Sequence, residues 1–161
     1  MTTKNLDLLA FAAHPDDVEL AASGTIIKHI RMGHQCGIID LTRGELGTRG
    51  TAEDRDKEAQ ASSKILGLAV RDNLDLGDGF FEINDASLLA IVTQMRKYKP
   101  HIVLANAISD RHPDHGRAAT LVSRACFLAG LPKIKTESLE AHRPKAVYHY
   151  IQDRFIKPDI I

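Results

Sequence analysis

The chain has no tryptophan, few aromatic residues and no surplus of charge of either sign. Aromatic residues make up 5% of its 161 residues, which leaves little material for stacking nucleic-acid bases. Its 21 basic residues are balanced by 21 acidic ones. Proteins that bind nucleic acid or an anionic membrane usually carry a basic surplus that attracts phosphate. We therefore expect neither nucleic acid nor a membrane as a partner.

Cysteine and long apolar runs are also scarce. Cys36 and Cys126 lie in apolar segments and are too few for a disulfide framework, so we expect both to be reduced and buried. No stretch approaches the roughly 20 apolar residues that cross a bilayer, and the N-terminus lacks the layout of a signal peptide. These absences predict a cytoplasmic protein. The hydrophobic fraction of 43% is enough for one domain with a packed core.

Short apolar runs alternate with longer amphipathic segments along the chain. The runs predict strands at 6–12, 36–41, 70–76, 102–105 and 146–151, and the amphipathic segments predict helices at 18–32, 52–68, 85–98 and 114–129. This alternation is typical of a mainly parallel sheet covered by helices on both faces, a Rossmann-like three-layer α/β sandwich. We expect the strand at 70–76 at an edge of the sheet. Ligands of such folds bind beyond the carboxyl ends of the strands.

Two loops at predicted strand ends contain the sequence His-Pro-Asp. The first reads Ala13-His14-Pro15-Asp16-Asp17 and the second Arg111-His112-Pro113-Asp114-His115. Proline stiffens each turn, and imidazole and carboxylate groups are typical ligands of a zinc site that keeps one position open. One copy alone could be a turn in which aspartate caps a helix. Two copies at equivalent positions favour a metal site.

Together with the segment between them, these loops resemble the LmbE-like, or PIG-L, zinc-dependent N-deacetylases. The resemblance rests on residues 13–17, 42–45 and 112–115. The run at 42–50 and the residues after it are similar to the bacterial branch that deacetylates N-acetylglucosaminyl malate in bacillithiol synthesis. The resemblance implies a single domain over residues 1–161. Members of this family usually continue for tens of residues more, so we expect the C-terminal part of the family domain to be absent.

The resemblance implies the metal ligands and the substrate. It makes His14, Asp17 and His115 the ligands of zinc, although two imidazoles and one carboxylate also suit Fe²⁺. The implied reaction is hydrolysis of the acetamide of a small amino sugar, which gives acetate and a free amine. Homo-oligomers, which are common in the family, are the expected assembly.

The same resemblance implies the catalytic groups. Asp16 corresponds to the general base, and a protonated His112 corresponds to the group that stabilises the oxyanion. Asp16 lies next to a ligand in the sequence and so could reach the attacking water without binding the metal. Asp114 is expected to orient His112.

Two arginines near the motif loops are candidates for substrate binding. The guanidinium groups of Arg55 and Arg111 suit the carboxylates of a malate-like group, and the alternative for each is a surface salt bridge. The glycines at 44, 47 and 50 do not form the dinucleotide fingerprint. We interpret them as part of a flexible loop bordering the site, which Glu45 ties down.

Two other classes of function remain as alternatives. A metal- or nucleotide-binding α/β module without catalysis is disfavoured because a structural zinc site would be closed by four protein ligands. A metallophosphatase or nuclease commonly bridges two metals with carboxylates. The sequence has one compact ligand set and no second carboxylate cluster for another ion.

Overall fold

The computed structural model describes residues 5–161, in which strands and helices alternate as predicted; residues 1–4 of the expected domain lie outside the described part. The elements are β1 Leu8–Ala12, α1 Asp17–Arg31, β2 Cys36–Asp40, α2 Ala52–Leu66, β3 Val70–Asn73, α3 Asp85–Tyr98, β4 Ile102–Ala105, α4 Pro113–Ala129 and β5 Ala146–His149. The strand predicted at 70–76 ends at Asn73. A left-handed backbone at Asp75, where φ is 49°, interrupts the extended chain.

The five strands form one parallel sheet in the order β3-β2-β1-β4-β5, with β3 at an edge as predicted. In the central strands, Leu8 pairs with Cys36 on one side and with Ile102 on the other. The carboxyl ends of the strands therefore lie along the same edge of the sheet. The chain runs outward from β1 to β3 and then crosses to β4, so the strand order reverses between β1 and β4. Such a reversal opens a crevice in which ligands bind.

Helices cover both faces of the sheet. Leu9 and Phe11 of β1 belong to the core shared with α3 and α4, whereas Leu8 and Ala10 belong to the core shared with α1 and Leu66 of α2. Successive strand residues point to opposite faces, so an uninterrupted apolar strand serves both cores. This arrangement confirms the Rossmann-like three-layer α/β fold.

Both cysteines are buried and free, as predicted. An ion-pair network also joins the edge of the sheet to the helical layer. Arg71 of β3 donates two hydrogen bonds to Asp40, at 2.8 and 3.0 Å, and contacts Glu19 of α1. Across residues 5–161, none of the helices combines the length and hydrophobicity needed to span a membrane.

Candidate metal centre and active site

The two His-Pro-Asp loops meet at the crevice between β1 and β4. The first loop leads from β1 into α1, and the second leads from β4 into α4, with His112 as the N-cap of α4. The imidazole rings of the motifs lie side by side. The ring centroids are 4.6 Å apart for His14 and His112, and 5.1 Å apart for His112 and His115.

The three predicted metal ligands contact one another through Asp17. Its Oδ1 lies 3.2 Å from Nε2 of His115, and its Oδ2 lies 3.6 Å from Nδ1 of His14. All three residues are buried. His112 joins the same cluster, because one ring nitrogen from each of the three histidines lies within 4.8 Å of the others. The structure therefore brings the predicted ligands together and places a further imidazole beside them.

Two carboxylates of this cluster were not predicted as site residues. Asp78 Oδ1 lies 3.1 Å from His14 Nε2, and Asp110 Oδ1 lies 3.3 Å from His115 Nδ1. The contact with Asp110 lacks hydrogen-bond geometry, so His115 Nδ1 is a buried atom without a hydrogen-bond partner among residues 5–161. Only weak signals in the sequence point to these carboxylates: Asp78 stands in an Asp-Gly turn, and Asp110 precedes the second motif.

Asp114 contacts His112 through its backbone. The backbone N–H of Asp114 donates to Nδ1 of His112 at 3.3 Å, whereas its carboxylate lies 3.3 Å from His14 Nε2. The carboxylate also accepts hydrogen bonds from Arg117, at 2.7 Å, and from the backbone of Gly79, at 2.9 Å. The expected orientation of His112 by Asp114 is thus a main-chain contact of the helix cap.

The charges of the cluster favour a bound cation. Burial opposes protonation of His14, but Asp17, Asp78 and Asp114 outweigh it and raise the pKa of His14 to about 9. Burial would likewise favour a neutral Asp17, yet the adjacent imidazoles of His115 and His14 hold its pKa well below the usual range. The carboxylates around His14 therefore favour a positive charge at this position.

The donor set fits a divalent metal. Imidazole nitrogens and a carboxylate are the ligands that zinc takes in catalytic sites. The ring nitrogens that point away from Asp17 each face another carboxylate. Nε2 of His14 faces Asp78, and Nδ1 of His115 faces Asp110. A carboxylate beside the second ring nitrogen is the usual environment of a metal-ligating histidine. His14, Asp17 and His115 could hold the ion, with His112 next to them.

Asp16 differs from its neighbour Asp17 in being half exposed. Its Oδ2 lies 3.7 Å from Nη1 of Arg55. Partial burial and the charge of Asp17 raise the pKa of Asp16, and Arg55 and His14 oppose this rise. An accessible carboxylate with a raised pKa is suited to proton transfer.

The glycine-rich loop forms a cradle for Arg55. A Cβ placed on Gly47 would lie 2.6 Å from Nη2 of Arg55, and one on Gly44 would lie 3.0 Å from its Cδ. Glu45 accepts a hydrogen bond from the backbone of Asp78 at 2.7 Å, and Asp78 accepts one from the backbone of Leu46 at 3.0 Å. Glu45 therefore ties the loop down, as expected, and these reciprocal bonds anchor a segment that the sequence suggested to be flexible.

Arg111 has a different environment. Its side chain is 71% exposed, and Nη2 lies 3.3 Å from Oδ2 of Asp153, in the segment after β5. This is the surface salt bridge considered as the alternative for Arg111. Arg55, by contrast, is 23% exposed, and its acidic neighbour is Asp16 of the site rather than a residue of its own helix.

The sequence profile of PIG-L, described as GlcNAc-PI de-N-acetylase, matches residues 9–126, which include both His-Pro-Asp loops. The chain belongs to the PIG-L family. It is 33% identical over 157 residues to diacetylchitobiose deacetylase of Thermococcus kodakarensis, a match that covers 89% of the chain and 59% of that protein. It is 27% identical over 157 residues to the 1D-myo-inositol 2-acetamido-2-deoxy-alpha-D-glucopyranoside deacetylase of Rhodococcus jostii, which covers 76% of the chain and 54% of that protein.

A solved structure shares the PIG-L fold of this chain closely. The crystal structure of a conserved protein from Thermus thermophilus superposes with a TM-score of 0.91 and 41% sequence identity, covering 96% of this chain and 70% of that one. The chain spans less than two thirds of the length of the two curated relatives.

Proposed function

We propose that this protein is a metal-dependent N-deacetylase that hydrolyses the N-acetyl group of an N-acetylglucosamine derivative. The observation that carries the proposal is the arrangement of Asp17 between His14 and His115, with the accessible carboxylate of Asp16 beside it. The relatives support it, because they are named as deacetylases of diacetylchitobiose and of a 2-acetamido-2-deoxyglucopyranoside. Zn²⁺ is the proposed metal and Fe²⁺ the alternative.

In this proposal the metal is held by His14, Asp17 and His115. When bound, it would supply a Lewis acid that polarises the acetamide carbonyl and lowers the pKa of water. Asp16 removes a proton from the water that adds to the carbonyl carbon. It then returns the proton to nitrogen as the C–N bond breaks. Acetate and the free amine are the products.

His112 is the proposed donor to the oxyanion. Burial and the neighbouring imidazoles lower its pKa, and its Nδ1 accepts the backbone N–H of Asp114. The neutral ring therefore keeps its proton on Nε2. A hydrogen bond from this N–H to the developing oxyanion would stabilise the transition state without the imidazolium that the sequence suggested.

The substrate proposed within this class is N-acetylglucosaminyl L-malate, an intermediate of bacillithiol biosynthesis, with another N-acetylated amino sugar as the alternative. Arg55 is the proposed partner of a malate carboxylate, and Arg111 is a second. The support is that the mostly buried guanidinium of Arg55 makes no hydrogen bond within residues 5–161, its nearest acidic atom being 3.7 Å away. A cytoplasmic location and assembly into homo-oligomers remain predictions from the sequence and the family resemblance.

The deciding experiment measures amine release from N-acetylglucosaminyl malate and from methyl N-acetylglucosaminide. We expect zinc-loaded protein to release amine and chelator-treated protein to release none, with activity returning on addition of Zn²⁺. His115→Ala should lose both metal and activity. His101→Ala, which alters an exposed histidine paired with Asp7, is the matched control.

Amine release that persists in chelator would contradict the metal-dependent mechanism. Full metal stoichiometry in both His14→Ala and His115→Ala would contradict the proposed ligands. Stoichiometric metal binding with no amine release from either substrate would favour the non-catalytic metal-binding module.

A further inference from the structure

A buried amide connects the carboxyl ends of three strands at the metal centre. Asn106, which follows β4, is fully buried. Its Oδ1 accepts the backbone N–H of Ala13 at 2.9 Å, and its backbone carbonyl accepts from Nδ1 of His149 at 2.8 Å. Its Nδ2 donates to Oδ2 of Asp17 at 2.9 Å and to Oε1 of Gln152 at 3.1 Å. Asn106 thus fixes a predicted metal ligand relative to β1, β4 and β5.

Gln152 contributes a second amide to the same carboxylate. Its Nε2 donates to Oδ1 of Asp17 at 3.0 Å. Oδ2 of Asp17 also accepts the backbone N–H of His14, at 3.0 Å. The carboxylate of Asp17 therefore receives two hydrogen bonds on Oδ2 and one amide hydrogen bond on Oδ1.

The two oxygens of Asp17 differ in the number of lone-pair positions that remain free to bind a metal. Each carboxylate oxygen has about two lone-pair positions. On Oδ2 both positions are taken by hydrogen bonds from His14 and Asn106. On Oδ1 one position remains, and this atom faces Nε2 of His115 at 3.2 Å. The oxygen with a free position is therefore the one beside the second predicted ligand.

We infer that Asn106 and Gln152 are positioning residues that make Asp17 a ligand through Oδ1 alone. We call this pair of amides the Asp17 clamp. The inference rests on the metal site of the proposed function. Neither residue belongs to the His-Pro-Asp motifs, and Gln152 lies beyond residues 9–126, which the family profile matches. The clamp fixes the carboxylate before a metal arrives, so removing either amide should weaken metal binding.

The affinity for Zn²⁺ is the first measurement. Asn106→Leu and Gln152→Met remove the amides with little change in size, and both should raise the Kd for Zn²⁺ about 10- to 100-fold in a chelator competition. Asn73→Leu is the matched control. Asn73 is an amide at the carboxyl end of β3 that bonds the backbone of Thr42 at 2.7 Å, so its loss should leave the Kd unchanged.

The visible absorption of bound Co²⁺ is the second measurement, because it weakens as the coordination number rises. Asn106→Leu frees a lone pair on Oδ2, which allows Asp17 to bind through both oxygens, so the absorption should weaken. Gln152→Met leaves Oδ2 fully occupied, so the absorption should keep its wild-type intensity. Thermal unfolding of the metal-free variants separates these effects from a general loss of stability.

The outcomes distinguish the clamp from the site itself. Failure of the wild-type protein to bind Zn²⁺ or Co²⁺ would contradict the proposed function. Suppose that the wild type binds both ions and that the two clamp variants match it in Kd and in Co²⁺ absorption. This result would contradict the proposed clamp and leave the proposed metal site unaffected.

Discussion

Adjacent aspartates in the first motif have opposite environments. Asp17 begins α1 and is 3% exposed, with amide donors on both of its oxygens. Asp16 precedes the helix, and its side chain is 51% exposed beside Arg55. A carboxylate fixed by hydrogen bonds that still has one free lone pair is suited to hold an ion, whereas an accessible one is suited to exchange protons. One peptide unit therefore separates the proposed ligand from the proposed base.

Replacing Asp16 by asparagine tests this division. The amide is nearly the same size but cannot accept the proton of water, so the rate of amine release should fall by roughly 10²–10⁴. The metal content should stay at the wild-type level, because Asp16 is not a proposed ligand. The rate is measured in steady state and the metal by elemental analysis. A rate within a few-fold of wild type would remove Asp16 from the mechanism.

Replacing Arg55 by alanine tests the acidic part of the substrate. Loss of a charge-assisted hydrogen bond costs about 1.5–3 kcal/mol, which corresponds to roughly a 10- to 150-fold fall in kcat/KM. This fall is expected with N-acetylglucosaminyl malate. Methyl N-acetylglucosaminide has no carboxylate and should be affected much less. The exposed Arg49 of the same loop provides the control, and Arg49→Ala should change neither value.

Equal losses on the two substrates would contradict the malate assignment. They would mean that Arg55 acts through Asp16, 3.7 Å away, or on the shared sugar.

At the scale of elements, the glycine-rich loop and the first turn of α2 form one unit. Gly44 has a φ of 64°, which a residue with a side chain adopts at a cost, whereas Gly47 is free of such a constraint. The closeness of Gly47 to Arg55 therefore accounts for the absence of a side chain there. The loop shapes the position of a guanidinium, a role that differs from the phosphate binding of other glycine-rich loops.

Gly47→Ala should shift Arg55 while leaving the fold intact. The added Cβ would lie 2.6 Å from Nη2, at the free end of a flexible side chain that can move away, and 3.1 Å from the backbone oxygen of Gly44, which must shift by a few tenths of an ångström. We expect a fall in kcat/KM for the malate substrate in the direction of Arg55→Ala, with little change for the neutral substrate. Gly24→Ala in α1 is the control, because no atom lies within 4 Å of its added Cβ and alanine favours helix. Unchanged selectivity in Gly47→Ala would contradict the cradle.

The sequence predicted the elements more fully than the site. Apolar runs and helix patterns located every strand and helix of residues 5–161 because periodicity is a local property. The two His-Pro-Asp motifs also indicated where the proposed ligands lie, since both motifs are local features of the sequence at strand ends. Asn106 and Gln152 could not be found in this way. They contact Asp17 from 89 and 135 residues away, and such contacts depend on the strand order.

At the scale of the whole molecule, the proposed metal should stabilise the fold. The proposed ligands come from the loop after β1, from α1 and from α4, and the two helices lie on opposite faces of the sheet, so the unfolded chain offers no equivalent site. Zn²⁺ at about a hundredfold excess over its Kd adds roughly 2.7 kcal/mol to the free energy of unfolding. For a chain of this length, Tm should rise by roughly 5–10 °C.

Thermal unfolding followed by circular dichroism measures this shift. Mg²⁺, which prefers oxygen ligands in octahedral geometry, should produce little change at the same concentration. A rise in Tm of the same size when Zn²⁺ is added to His115→Ala would show that the stabilising ion binds outside the proposed site.

The separation of 135 residues between Asp17 and Gln152 also has a consequence for the order of events during protein synthesis. A ribosome that adds about 5–20 residues per second releases the first ligands many seconds before the second amide of the clamp. Asn106 and His115 follow within that interval, and Gln152 is the last of these residues to be synthesised. If the clamp fixes Asp17 as proposed, the chain binds metal weakly until β5 has joined the sheet and Gln152 has reached Asp17. We therefore expect the proposed site to reach its full affinity for metal only after the segment that follows β5 has been synthesised.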